Sequence, residues 1–200
     1  MVKVTSAAPG LSRRWATKEL LAFRGDCLVV TGLGSPTYDV YAAGDCAANM
    51  YLWGAMGGAA MVGLGLALAQ PARAVVVVTG DGEQLMGLGA LATIAVTRAP
   101  NLTIVILDNG YYLETGGQKS HTGLGVDMAG IGRALGLDVV ELSTEEELHE
   151  FARQLAEPKA SPRLVRVRIS SDGAEGVLPP RDGVFLKQRF RDGLGLDAGW

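Results

Sequence analysis

Two glycines bracket an aspartate at Gly80-Asp81-Gly82, directly after the β-branched run Ala74 to Thr79 and before an apolar helical pattern. Glycines in that place let the backbone approach an anion closely, and the helix behind them aims unpaired amides and a positive dipole end at it. That is phosphate-binding chemistry, yet Asp81 would repel a phosphate. A hard cation resolves the conflict, because magnesium takes oxygen ligands in an octahedral array and bridges carboxylate to phosphate. A second polar turn, after Leu107, offers further oxygens: the Asn109 side chain and the Tyr111 main-chain carbonyl, with Gly110 permitting the bend. Asp81 and Asn109 lie 28 residues apart. That spacing fits a strand end, a helix and a return strand, so both turns are expected on one sheet edge.

The elements that must position these turns read as alternating strands and helices. Helices are predicted over Leu11 to Phe23, Tyr38 to Ala43, Gly57 to Gln70, Gln84 to Arg98, Val126 to Leu135 and Glu145 to Leu155. Strands are predicted at Cys27 to Thr31, Ala74 to Thr79, Leu102 to Leu107, Asp138 to Glu141 and Arg163 to Ile169. Asp108 to Leu124 reads as loop. The tail from about Asp172 is Pro/Gly-rich and expected to be flexible or extended, with a short helix near Val184 to Phe190. Such alternation predicts an α/β fold: a three-layer, doubly wound, mostly parallel sheet forming one domain over residues 1–200. Ligands in such sheets bind at the carboxyl ends of the strands, where the turns after Thr31, Thr79 and Leu107 all fall.

Bulk properties exclude several classes. A net charge of −3 gives no electrostatic reason to expect nucleic acid or an acidic membrane as partner. Met50 to Gln70 is uncharged and long enough to span a bilayer. Its glycines and alanines suit close packing inside a protein better than contact with lipid, so no membrane span is expected. Residues Met1 to Gly10 lack the apolar core of a signal peptide, which fits a cytoplasmic protein. The two cysteines, Cys27 and Cys46, have no metal-ligand spacing and read as buried thiols. His149 lies on a charged helix face and reads as structural.

Gly80-Asp81-Gly82 followed by Asp108-Asn109 resembles the GDG…NN signature of thiamine-diphosphate enzymes. The resemblance implies the diphosphate-binding (PP-type) domain of that family. It also implies thiamine diphosphate and Mg2+ as cofactors, with the Asp81 and Asn109 side chains and the Tyr111 carbonyl as metal ligands. Asp108 replaces the first Asn of the usual pair, a position that does not ligate the metal. Gly80 and Gly82 fall at the diphosphate, and so does Glu83, where a small residue is common; its carboxylate is expected to turn outwards at the helix start. Gly54-Ala55-Met56-Gly57 resembles the segment holding the aminopyrimidine, with the Gly54 carbonyl accepting from the amino group and Met56 wedging the cofactor into its bent form. Gly34 and Ser35 are the implied remaining diphosphate contacts. Gly116-Gly117-Gln118 with Ser120-His121-Thr122 is similar to the decarboxylases of phosphonopyruvate and sulfopyruvate. In that group the loop closes over the substrate, which makes His121 a candidate proton donor or anion anchor. Gln118 and Lys119 are candidate contacts to an anionic substrate.

The family also needs a glutamate beside the pyrimidine ring, carried by a separate domain. Glu19, Glu114 and the Glu145–Glu147 cluster sit in nothing like that motif. The chain is therefore expected to be a β-type subunit of a split decarboxylase of a small anionic 2-oxo acid. A separate pyrimidine-binding subunit would bring the activating glutamate, in a hetero-oligomer of at least two of each chain. Rival readings are a carboligase of the acetolactate type, an oxidoreductase subunit and a non-catalytic cofactor-binding subunit. A nucleotide-binding module is disfavoured, since Gly32-Leu33-Gly34 lacks the third glycine and the acidic partner of that motif.

Overall fold

The computed structural model describes residues 10–54, 56–157, 159–171 and 173–196. Six strands form one all-parallel sheet: β1 (Leu28–Thr31), β2 (Asn49–Tyr51), β3 (Val75–Gly80), β4 (Leu102–Asp108), β7 (Asp138–Leu142) and β8 (Arg163–Arg168), in the order β2-β1-β3-β4-β8-β7. A small antiparallel hairpin, β5 (Tyr111–Tyr112) and β6 (Gln118–Lys119), projects from the end of β4. The strands are runs such as Val75 to Val78, β-branched and fully buried, as strands covered on both faces must be.

Alternate residues serve opposite faces. Val29, Val76, Val78, Val105 and Val165 pack with Leu20 of α1 (Arg13–Leu21), Val40 of α2 (Ser35–Ala43) and Leu148 of α7 (Glu145–Arg153). Leu28, Val30, Val77, Ile104 and Leu164 pack with Leu64 of α3 (Ala59–Ala69), Ile94 of α5 (Leu88–Thr97) and Met128 of α6 (Met128–Ala134). The result is the expected three-layer architecture. The chain leaves β1 towards β2 on one side and continues from β3 to β4 on the other, so the sheet order reverses between β1 and β3. A crevice opens there, at the carboxyl ends of the strands.

Several expectations change in detail. α2 begins at Ser35, three residues earlier than expected, because Gly34 adopts φ +84° and Pro36 sits in the first turn. Asn49–Tyr51 is a strand that its three-residue length hid. The single helix expected over 84–98 is two, α4 (Asp81–Met86) and α5, broken at Gly87. A Cβ on Gly87 would lie 2.2 Å from the Gly57 carbonyl oxygen, so the break is where two backbones touch. Residues 173–182 carry no helix or strand, but Trp53 Nε1 donates to the Pro180 carbonyl (3.0 Å) and Arg14 to the Glu175 carbonyl (2.6 Å). The helix α8 (Gly183–Gly193) then buries Leu186 and Phe190. Cys27 is buried, whereas Cys46 is exposed. Among the described residues no helix is long and apolar enough to cross a membrane; the uncharged stretch resolves into β2 and the eleven-residue α3.

Two glycines of α3 make opposite predictions. A Cβ on Gly63 would meet Val77 Cγ2 at 2.2 Å, whereas Gly65 faces open space. Gly63→Ala should lower stability by about 1–3 kcal/mol through overpacking against β3. Gly65→Ala should raise it by up to about 1 kcal/mol through helix propensity alone. Urea unfolding of the two variants measures both signs.

Candidate functional site

A cleft of about 380 Å³ occupies the crevice. Of the residues singled out from the sequence, Gly34, Ser35, Met56, Gly80, Asp81, Gly82, Glu83, Asn109 and Tyr111 all line it. All but Met56 arrive from the turns after β1, β3 and β4, as the parallel topology requires, and Met56 comes from the segment between β2 and α3. Gly54 (φ +74°) is exposed beside the cleft rather than in its lining, and Ala55 lies outside the described residues. Gln118 and His121 are exposed on and just after the hairpin and do not line the cleft.

Asp81 is 2% exposed and is the first residue of α4. Its Oδ2 accepts hydrogen bonds from Ser120 Oγ and from Thr122 Oγ1 (2.7 Å). Thr122 Oγ1 also lies 2.8 Å from Asp108 Oδ1. Asp108 is balanced from the far side: Arg166 Nε reaches its Oδ2 at 2.6 Å, and the Gly110 amide its Oδ1 at 3.1 Å. Asp81 has no such cation; among the described residues it forms no salt bridge. Burial pushes the Asp81 carboxyl above its ordinary range and the Asp108 charge adds to this, against the Ser120 and Thr122 hydroxyls. Asn109 Oδ1 accepts from the Tyr111 amide at 2.8 Å, which fixes the turn and leaves the oxygen's second lone pair free.

Glu83 does not turn outwards. It is 4% exposed, its Oε2 accepts from Thr79 Oγ1 at 2.8 Å, and its Oε1 has no partner in hydrogen-bonding geometry. A Cβ on Gly32 would fall 1.6 Å from Oε2, so Gly32 makes room for this carboxylate. The outward turn fails because the first turn of α4 is packed inside the crevice, not on the surface. Burial raises the Glu83 pKa to about 7; Thr79 and the nearby Gly57 amide oppose this but do not offset it.

The roles of five residues escaped the sequence reading. Arg13 is the cleft's one cationic lining residue, 6% exposed and 2.5 Å from Asp39 of α2. Glu114 reaches across from the hairpin to Ser35 Oγ (2.6 Å) at the start of α2. Tyr112 lies over Gly82, where a Cβ would meet its ring at 2.1 Å. Ser120 and Thr122 appear in the sequence only as neighbours of His121. The contacts to Asp39, Ser35, Gly82 and Asp81 join residues at least 25 positions apart, and no local pattern encodes them.

The donor set fits a magnesium–diphosphate pair. Among the described residues no group of three or more His, Cys, Asp or Glu side chains could hold a metal alone. A cation between Asp81, Asn109 and Tyr111 would have one carboxylate and would take its remaining oxygens from elsewhere. That is the habit of Mg2+ shared between a protein and a phosphate.

Comparison with known proteins agrees with this geometry. Residues 32–167 match the family model described as thiamine pyrophosphate enzyme, C-terminal TPP binding domain. The chain belongs to that family. The TPP-binding domain is 36% identical over 169 residues to sulfopyruvate decarboxylase subunit beta of Methanocaldococcus jannaschii, covering 84% of this chain and 88% of the relative. It is 38% identical over 197 residues to phosphonopyruvate decarboxylase of Streptomyces viridochromogenes, covering 94% of this chain but 49% of that longer protein. Among solved structures, the thiamine diphosphate-dependent 4-hydroxybenzoylformate decarboxylase of Rhodococcus jostii superposes with a TM-score of 0.67 at 21% identity, over 87% of this chain and 35% of that one, a likeness of fold.

Glu83 supplies a test of the burial. A carboxyl whose folded pKa is raised contributes its stability below the ordinary value of 4.5, and that stability is lost as the pH rises through about 7. Relative to the parent chain, Glu83→Gln should therefore gain on the order of 1–3 kcal/mol between pH 5 and pH 8. Chemical denaturation in EDTA, without cofactor, at several pH values measures the gain.

Proposed function

We propose that this chain is the diphosphate- and magnesium-binding subunit of a thiamine-diphosphate-dependent 2-oxo acid decarboxylase. Its substrate is small and anionic, like sulfopyruvate or phosphonopyruvate, and its products are an aldehyde and CO2. The observation that carries this reading is the buried Asp81 without a cationic partner, set in a glycine-lined cleft with Asn109 and Tyr111. The names of the two relatives support the reaction class.

In this reading the Asp81 and Asn109 side chains and the Tyr111 carbonyl hold Mg2+. The turns at Gly34-Ser35 and Gly80-Asp81-Gly82-Glu83 carry the diphosphate, and the Gly54 carbonyl and Met56 hold the pyrimidine end. Bound there, thiamine diphosphate supplies the electron sink that lets a 2-oxo acid lose CO2. The chain's own part is to position, to exclude water and to move a proton. His121 as proton donor and Gln118 as anion contact need a substrate pocket that extends over the hairpin.

A partner chain completes the site. The domain matches nearly all of a beta subunit but about half of the single-chain phosphonopyruvate decarboxylase. The surface beside the cleft also suits a partner. No charged residue occurs from Met50 to Gln70 or from Gln84 to Thr97, and α3 and α5, which lie in these stretches, pack against each other. Met61, Val62 and Leu68 are exposed on α3, as are Leu88 and Val96 on α5, Val96 at 85%. Apolar faces of this kind mark interaction sites. The face runs on to Met56 and Met86 at the cleft lining. We assign it to a pyrimidine-binding subunit carrying the activating glutamate, in a cytoplasmic hetero-oligomer of at least two of each chain.

A second reading has one observation behind it. Asp81, Glu83 and Glu114 put three carboxylates in the cleft lining against the single Arg13, a poor balance for an anionic cofactor without metal. A non-catalytic subunit that binds its partner without needing a tightly held cofactor would tolerate that better than an enzyme.

Product analysis separates the readings. The co-purified complex, given thiamine diphosphate, Mg2+ and sulfopyruvate, phosphonopyruvate or pyruvate, should release CO2 and the matching aldehyde, while the chain alone should not. Condensation products would instead indicate a carboligase, and full-rate turnover by the chain alone would overturn the split site. Val96→Asp should weaken complex formation at least tenfold in analytical ultracentrifugation while leaving the melting temperature of the chain within a few degrees.

A further inference from the structure

We infer that Thr122, with Ser120, is a positioning residue for the metal site, holding the Asp81 carboxylate by one oxygen so that the other faces the cation. The inference rests on the reading of Asp81 as a magnesium ligand. It adds two side chains that no motif assigns to the site.

The argument is one of proton counting. Four short contacts join these groups: Ser120 to Asp81, Thr122 to Asp81, Thr122 to Asp108, and Ser120 to Thr122 at 2.9 Å. With both carboxylates ionised, the two hydroxyls carry the only protons, one each, so at most two of the four contacts can be hydrogen bonds at once. The cluster therefore holds more acceptors than donors. Asp108 has its surplus met by Arg166 and by the Gly110 amide. The two hydroxyls both meet Asp81 at Oδ2, its own backbone amide adds a smaller contribution, and among the described residues no lysine or arginine pairs with it. A cation on the side of Oδ1 completes the balance, with Oδ2 anchored and the carboxylate plane fixed.

The anchor is also the foot of the hairpin. Ser120 and Thr122 directly follow β6, and the hairpin's own start is tied back by the Ser120 amide to the Gly110 carbonyl at 2.9 Å. Gly110 and Gly123 pack backbone to backbone there; a Cβ on Gly123 would meet the Gly110 oxygen at 2.1 Å. The hairpin that carries Tyr112 and Glu114 over the cleft is thus latched onto the metal carboxylate. Occupancy of the metal and the seating of the hairpin should rise and fall together. Groups that orient a metal ligand in this way typically change metal affinity by about 10–100-fold when removed.

The test uses the assembled complex with its partner chain. Mg2+ is titrated by calorimetry at a fixed, saturating concentration of thiamine diphosphate, with the melting temperature in EDTA recorded for each variant. Thr122→Val should raise the apparent Mg2+ dissociation constant about tenfold or more, and Thr122→Ser, which restores the hydroxyl, should return it to within about twofold of the parent. Ser120→Ala should show a smaller loss in the same direction and stands in if Thr122→Val fails to assemble. Unchanged Mg2+ affinity in Thr122→Val or Ser120→Ala would overturn the inference while leaving Asp81 as ligand. So would a loss in Thr122→Ser equal to that in Thr122→Val. If the parent complex itself takes up no Mg2+ with thiamine diphosphate, the underlying site assignment falls and the inference with it.

Discussion

Burying a carboxylate without a cation is costly, and the crevice of this protein does so at Asp81. The residue sits where the central strand β3 ends and α4 begins, 2% exposed, with two hydroxyls from a distant loop on its Oδ2 and no salt bridge among the described residues. An isolated buried ion of this kind either takes a proton or takes a counter-ion. Much of the surrounding structure can be understood as keeping the second option open. The all-parallel sheet brings the ends of β1, β3 and β4 to one edge. Glycines at 32, 34, 80 and 82 keep side chains out of the way, and Arg166 draws the charge of neighbouring Asp108 to itself.

The architecture was largely legible in the sequence because its strands are short, β-branched and flanked by turn residues. Val75 to Val78 and Leu102 to Leu107 admit little but buried parallel strands. The glycine-bracketed Asp81 carried its own contradiction, an anion in a phosphate turn, and that contradiction pointed to a metal before any fold was in view. What stayed hidden was long-range. Nothing local tells that Glu114 will reach Ser35, that Arg13 will line the cleft beside Asp39, or that Thr122 will stand between two carboxylates. Glu83 misled for a related reason. A glutamate in the first turn of a helix is ordinarily solvated and favoured by the dipole, but this turn is sunk in the crevice, with Gly32 leaving the space the carboxylate fills. Helix boundaries drifted where a glycine contact intervened: the Gly57–Gly87 approach that divides α4 from α5 is a tertiary event.

The proposed partner follows from the same crevice. On the proposed reading it offers oxygens for a metal and backbone amides for phosphates, and the activating carboxylate is assigned to the partner. Its open flank is the uncharged face of α3 and α5. Met56 and Met86 are exposed and line the cleft at the edge of that face, so a partner on the helices would also border the cleft. Close packing, of Gly63 on Val77 of β3 and of Gly57 on Gly87, holds α3 tightly against the sheet and the start of α5.

Calorimetric titration of thiamine diphosphate with Mg2+ into the partner-bound complex, for the parent chain and for Asp81→Ala, tests the central claim most directly. The account predicts a saturable, magnesium-dependent binding isotherm for the parent that is abolished in Asp81→Ala while the complex stays assembled. Equal binding by both, or parent binding unaffected by EDTA, would contradict it.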